Sequence, residues 1–198
     1  MTDAAAIMTA IADPAPVLGK VHVMHDFESW ALQSTKPCLI SLGAVKFDKS
    51  TIIDRFHVRI DPEDCQRYGL EIEAATVKWW MHNDRQAARD QLDTMGEVDI
   101  YSALAAYAEW VNQTGPDQLG SAWSNGSNFD NARLKEIYRI LRLDWPFDYK
   151  QEECYRTMKN RFPDVPFSRI GVHHGALDDA HTQAAHLQLI CASNLIEL

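Results

Sequence analysis

The amino-acid sequence predicts an α/β domain: a mixed sheet that opens as an antiparallel meander, gains parallel strands and is flanked by helices. Three observations point to it. Three β-rich segments follow one another between residues 21 and 60, with connections too short for parallel crossovers. The chain after them switches to apolar residues at helical spacing. A lone apolar run, LGSAWS at 119–124, then stands between two helical segments as a further strand.

Residues 21–26 alternate and are rich in valine, which predicts the first strand. CLISLGAVKF (38–47) and TIIDRFHVRI (51–60) predict the second and third, with Asp48, Lys49 and Ser50 as the turn between them. Asp61 and Pro62 break the pattern. A helix is expected from about 72 to 90, carrying Trp79 and Trp80, and another over IYSALAAYAEWVN (100–112), stopped by Gly115 and Pro116. After the 119–124 strand, helices are expected at 128–141, at 152–160 and, to close the chain, at 178–192.

The 198 residues suit one domain, assigned to 19–198, behind a flexible N-terminal arm at 1–18. That arm is Ala-rich, carries Asp3 and lacks the positive start of an export signal, so a cytoplasmic protein is expected, in the host cytoplasm if the chain is phage-encoded. No apolar run is long enough to span a bilayer, and no membrane partner is expected. Cys38, Cys65, Cys154 and Cys191 form no CxxC pair, which argues against a zinc site or a disulfide framework. The net charge of −9 argues against broad electrostatic binding of nucleic acid. It does not exclude an enzyme that grips one strand end through metal ions, because a cation-binding carboxylate cluster is itself acidic.

Four carboxylates stand where elements begin or end. In VMHDFESW, Asp26 and Glu28 are two apart on a strand and share a face. Two such charges beside a buried sheet repel unless a cation lies between them, or else they mark a solvated strand end. In SAWSNGSNFDNARLKEIY, Asp130 opens a helix after a Gly-containing loop, where an ordinary capping carboxylate is equally at home. In HHGALDDAHTQAAHLQ, Asp179 sits in the first turn of the last helix, five residues after His174. His173 is the rival imidazole, and Asp178 serves simply to start the helix.

D-x-E on the first strand, N-x-F-D opening a middle helix and H-x-A-x-x-D-A opening the last occur together and in order. In this the chain resembles the DEDDh 3′→5′ exonucleases, over roughly residues 21–188. CLISLGAVKFD, ATVKWWM and HGALDDAHTQA further resemble the subgroup containing phage exonuclease A, the phage-type exodeoxyribonuclease VIII proteins and a bacterial AMP-specific ribonuclease. The resemblance implies a ribonuclease-H-like fold, with Asp26, Glu28, Asp130 and Asp179 as metal ligands and His174 as general base. Two Mg²⁺ or Mn²⁺ ions, about 3.5–4 Å apart, would activate a water and shelter the departing 3′-oxygen. The expected partner is a nucleic-acid 3′ end, single-stranded DNA ahead of RNA tails, with a homodimer as one assembly that would build a basic groove.

One departure touches substrate. The first motif usually runs into Thr and a Gly-rich turn, whereas here it reads Glu28-Ser29-Trp30. Ser29 can donate to the 3′ end as Thr would, while Trp30 alters the shape beside it. Trp79 or Trp80 offers a stacking surface for the terminal base, with core packing the favoured reading for each; further contacts are expected from Asn125, Ser127 and Asn128 in a polar loop, and from Arg156 with Thr157 at a phosphate or base edge. Phe27, between the motif carboxylates, should pack in the core. Two other readings use the same residues: a non-catalytic nucleic-acid-binding module on this fold, and a metal-dependent phosphatase.

Overall fold

The computed structural model describes residues 19–198; the expected arm at 1–18 lies outside them. Strands β1 (Val21–Ser29), β2 (Leu39–Phe47) and β3 (Ile52–Ile60) form the expected antiparallel meander. The elements that follow are α1 (Pro62–Arg67), α2 (Ala74–Trp80), α3 (Gln86–Asp93), β4 (Glu97–Val98) and α4 (Ile100–Asn112), then β5 (Leu119–Ser124), α5 (Asp130–Leu141), β6 (Glu152–Cys154), α6 (Tyr155–Arg161) and α7 (Ala176–Asn194). The six strands make one mixed sheet in the order β4-β3-β2-β1-β5-β6, with β5 parallel to β1 and β6 parallel to β5.

The alternation of β1 divides the molecule. Val23 and Phe27 face a core shared with Leu104 and Tyr107 of α4 and Leu134 and Ile137 of α5. Met24 faces the other way, with Val45 and Phe47, into a second core closed by Ala180, Ala184 and Leu187 of α7. By the same period of two, Asp26 and Glu28 belong to the α7 side. His25 points away from them, as its position predicts, into a buried network with Tyr107 and Asn131.

Gly43 sets how closely α7 can approach. It lies opposite Asp26 in the antiparallel register, and a Cβ there would collide with the backbone of Ala176 and Leu177. The first turn of α7 therefore rests on the sheet beside Asp26, and this delivers Asp179 to the same place. Gly43→Ala should cost about 1–3 kcal/mol by overpacking, or more, since backbone must move. Chemical denaturation should register that loss, and activity should fall with it as the carboxylates separate.

The structure corrects several expected elements. The helix expected at 72–90 is two helices separated by a 3-10 turn at Asn83–Arg85, with His82 extended. Asn83 and Asp84 favour local turns over helix continuation, and Arg89 donates to the Trp80 and His82 carbonyls that the break frees. The segment expected as a helix at 152–160 begins as β6, because residues 152–154 find the open edge of β5 before the helix starts at Tyr155. The break at Asp61 and Pro62 also starts a helix: Asp61 caps α1 and Pro62 sits in its first turn. The two-residue β4 pairs with Arg59 and Ile60 and was not expected.

Candidate active site

β1 and β5 run parallel, so their C-terminal ends open on the same edge of the sheet. The β1 end brings Asp26 and Glu28, the loop after β5 brings Asp130 as the first residue of α5, and α7 brings Asp179. Carboxylate oxygens of Asp26, Glu28 and Asp179 lie within 4.8 Å of one another. Asp130 lines the same cleft, a cavity of about 380 Å³. The register of β1 shifts between Glu28 and Ser29, a bulge at the point where the strand leaves the site.

The electrostatics follow from this crowding. Burial raises the Asp26 carboxyl well above the usual carboxylate range, and the charges of Asp130 and Asp179 push it further. Glu28 is raised in the same way, by burial and then by Asp26, Asp179 and Asp130. Burial pushes Asp130 up to about 7 against the opposing pull of Arg156 and Arg133. A folded-state pKa above the unfolded value means that the folded protein binds the extra proton. The contribution of these carboxyls to stability without cations is therefore fully present at acid pH and is lost as pH rises from about 4 through 7. Thermal melting in EDTA should show this loss, and Asp130→Asn should flatten it.

The donor set fits hard divalent cations. Its atoms are carboxylate oxygens, they are mutually close, and burial with mutual repulsion disfavours the charges on Asp26 and Glu28, a cost that a bound cation would relieve. Two side chains steady them: Gln183 donates to Asp26 Oδ1 at 2.9 Å, and Arg169 pairs with Asp179.

His174 adjoins the carboxylates. Its backbone N–H donates to Asp179 Oδ2 at 3.2 Å, and its φ of 66° lies in the left-handed region, which a non-glycine residue rarely adopts. Its ring lies edge-on to Trp79 at 4.8 Å and stacks on His173 at 3.8 Å. Burial lowers its pKa to about 4, helped by His173, Arg85 and Arg169 and opposed by Asp179, so the ring is neutral at physiological pH. His173, His174 and Asp179 also bring ligand atoms within 4.8 Å of one another, so Asp179 is common to both groups.

The expected substrate contacts divide. Asn125 and Arg156 line the cleft, and Arg156 donates to the Asn125 carbonyl. Asn128 is exposed and outside the lining. Ser29 donates to the Ala31 carbonyl. Trp80 is buried against Trp30 and donates to the Ser29 carbonyl, while Trp79 is 39% exposed and covers His174. Phe27 packs in the core as expected, stacked on Phe129. Sequence reasoning missed Gln183, Arg169, Lys159 and Phe167, all in the lining. Gln183 was within reach, because it lies one helical turn beyond Asp179 on the same face of α7. Arg169 and Phe167 lie in an irregular segment whose sequence carries no periodic signal.

Clustered carboxylates at the edge of a mixed sheet, with a neutral imidazole beside them, are an arrangement suited to holding divalent cations against a phosphodiester. Residues 21–191 match the 3′-5′ exoribonuclease Rv2179c-like domain, and the chain belongs to that family. PolC-type DNA polymerase III of Thermotoga petrophila is 25% identical over 172 residues, covering 82% of this chain and 11% of the polymerase. The Thermotoga maritima counterpart is 23% identical over 194 residues, covering 93% and 13%. The chain thus spans only a small part of these relatives. Among solved structures, the nuclease domain of 3′hExo, a DEDDh family member bound to rAMP, superposes with a TM-score of 0.66 at 18% identity, covering 93% of this chain and 97% of that one. E. coli exonuclease I in complex with a dA13 oligonucleotide gives 0.63 at 12% identity, covering 87% and 40%. These two likenesses bear on the fold, which is the expected ribonuclease-H-like one.

Proposed function

We propose that the chain removes nucleoside 5′-monophosphates one at a time from unpaired DNA 3′ ends by two-metal-ion hydrolysis. The observation that carries this is the convergence of the Asp26, Glu28 and Asp179 oxygens, with Asp130 on the same cleft and His174 tied to Asp179. Divalent cations held by the four carboxylates would supply an activated water and shelter for charge on the departing 3′-oxygen. His174 offers a neutral ring nitrogen, which takes the proton of the attacking water. A substrate phosphate beside it raises its basicity by adding negative charge. Water bonds to phosphorus, the bond from phosphorus to the 3′-oxygen of the preceding nucleotide breaks, and that oxygen is protonated as the new 3′-hydroxyl.

The DNA assignment is supported by the sequence words that resemble phage exonucleases and by relatives named as DNA polymerases. A second reading, RNA ends, is favoured by the family's description as exoribonuclease. Initial rates on deoxy- and ribo-oligonucleotides of the same sequence, with Mg²⁺ or Mn²⁺, separate the two. Faster digestion of the deoxy strand supports DNA, and faster digestion of the ribo strand replaces it with RNA. Release of phosphate from simple esters with no oligonucleotide digestion would instead favour a phosphatase.

A further inference from the structure

We infer that Phe167, flanked by Lys159 and Arg169, is a subsite that stacks the nucleotide next to the scissile one and so selects unpaired strands. This rests on the exonuclease reading of the carboxylate site.

The charge distribution is the first observation. The chain carries a net charge of −9, yet Arg156, Lys159 and Arg169 all line the one cleft that holds the carboxylates. Arg169 reaches Asp179 on one side and lies 5.8 Å from the Phe167 ring on the other. The Lys159 ammonium stands over the same ring at 4.7 Å. A partly exposed aromatic ring with two cations beside it matches a platform for a base whose neighbouring phosphates are neutralised.

The second observation is that the ring is held rather than loose. Phe167 is 42% exposed, but it meets His186 edge-on at 5.3 Å. His186 is fixed in turn by the Tyr155 hydroxyl at 2.7 Å and faces the Val165 carbonyl at 3.2 Å. His186, itself held by Tyr155 and Val165, thus braces the Phe167 ring at its edge while part of its apolar surface stays in water.

Size adds a third. A cavity of about 380 Å³ is at the small end of ligand pockets, with room for the terminal nucleotide. The next nucleotide lies outside that volume, and Phe167, which lines the cleft and is partly exposed, is placed to meet it. A paired base already has both faces stacked within its duplex, so it cannot use this platform.

The test compares Phe167→Ala, Phe167→Trp and wild type on a single-stranded oligonucleotide and on the p-nitrophenyl ester of thymidine 5′-monophosphate, which has no second nucleotide. Phe167→Ala should raise the oligonucleotide KM by about 5- to 100-fold, from the strength of base–aromatic stacking. The ratio of kcat/KM for oligonucleotide to that for ester should fall by a similar factor. Phe167→Trp should restore it, and Tyr149→Ala, an exposed aromatic outside the cleft, should leave it in place. An unmoved ratio in Phe167→Ala, or equal losses on both substrates, overturns the subsite while leaving the exonuclease reading intact. A wild type that digests neither strand with metal present overturns both.

Discussion

Asp26→Asn is expected to abolish nuclease activity and, in the same protein, to raise the melting temperature in EDTA. The two effects have one cause. Asp26 is crowded by burial and by the charges of Asp130 and Asp179, so its negative charge is costly until cations arrive. Asparagine keeps the shape and the Gln183 contact but removes the charge. Melting should rise by about 2–4 °C for each kcal/mol of repulsion relieved. Activity should fall by at least about 10³-fold, equivalent to about 4 kcal/mol of lost transition-state stabilisation. Mg²⁺ or Mn²⁺ should raise the melting temperature of wild type and have little effect on the variant. A variant that melts lower in EDTA, or that keeps its metal-induced shift, would remove Asp26 from the cation site.

His174→Ala should lower kcat by about 10²–10⁴ while the metal-induced melting shift survives. His174 is bound to the site through its backbone N–H, and its ring packs on Trp79 and His173 with a nitrogen within 4.8 Å of an Asp179 oxygen, in a group that does not include Asp26 or Glu28. Losing the ring should therefore remove the proposed proton acceptor while leaving the carboxylate oxygens proposed to bind cations. Near-full kcat in this variant would pass the role to His173, which stacks on it. Loss of the metal-induced shift would make the imidazole a ligand.

The meander, α4, β5 and α7 were legible because each carries its own period: two for the strands and 3.6 for the helices. What escaped was decided by contacts distant in sequence. Residues 152–154 become a strand only because the edge of β5 is open to them, and β4 exists by pairing with Arg59 and Ile60. The break after Trp80 falls in an otherwise continuous helical pattern and is stabilised by Arg89, nine residues from the Trp80 carbonyl it serves.

The four carboxylates and His174 were singled out by the joint motif that resembles the DEDDh exonucleases, while strand alternation and helix starts account for where the carboxylates lie. Asp26 and Glu28 share a face by the period of two, and Asp179 falls in a first helical turn. Their convergence depends on Gly43, whose missing side chain gives no chemical signal in the sequence. Phe167 and Arg169 were invisible for a related reason: they reach the cleft from irregular chain pinned to α7 by the Thr182 hydroxyl, which contacts the Ile170 backbone, and by the Asp178 carboxylate, which accepts from Val172.

Whether these carboxylates make a metal-dependent 3′→5′ exonuclease is decided by digestion of a 5′-labelled single strand by wild type in Mg²⁺, by wild type in EDTA and by Asp26→Asn in Mg²⁺. The expected result is a ladder of labelled products shortening by one nucleotide at a time, seen only with wild type and metal. Immediate release of a labelled mononucleotide, or a ladder that persists in EDTA or with Asp26→Asn, would contradict it.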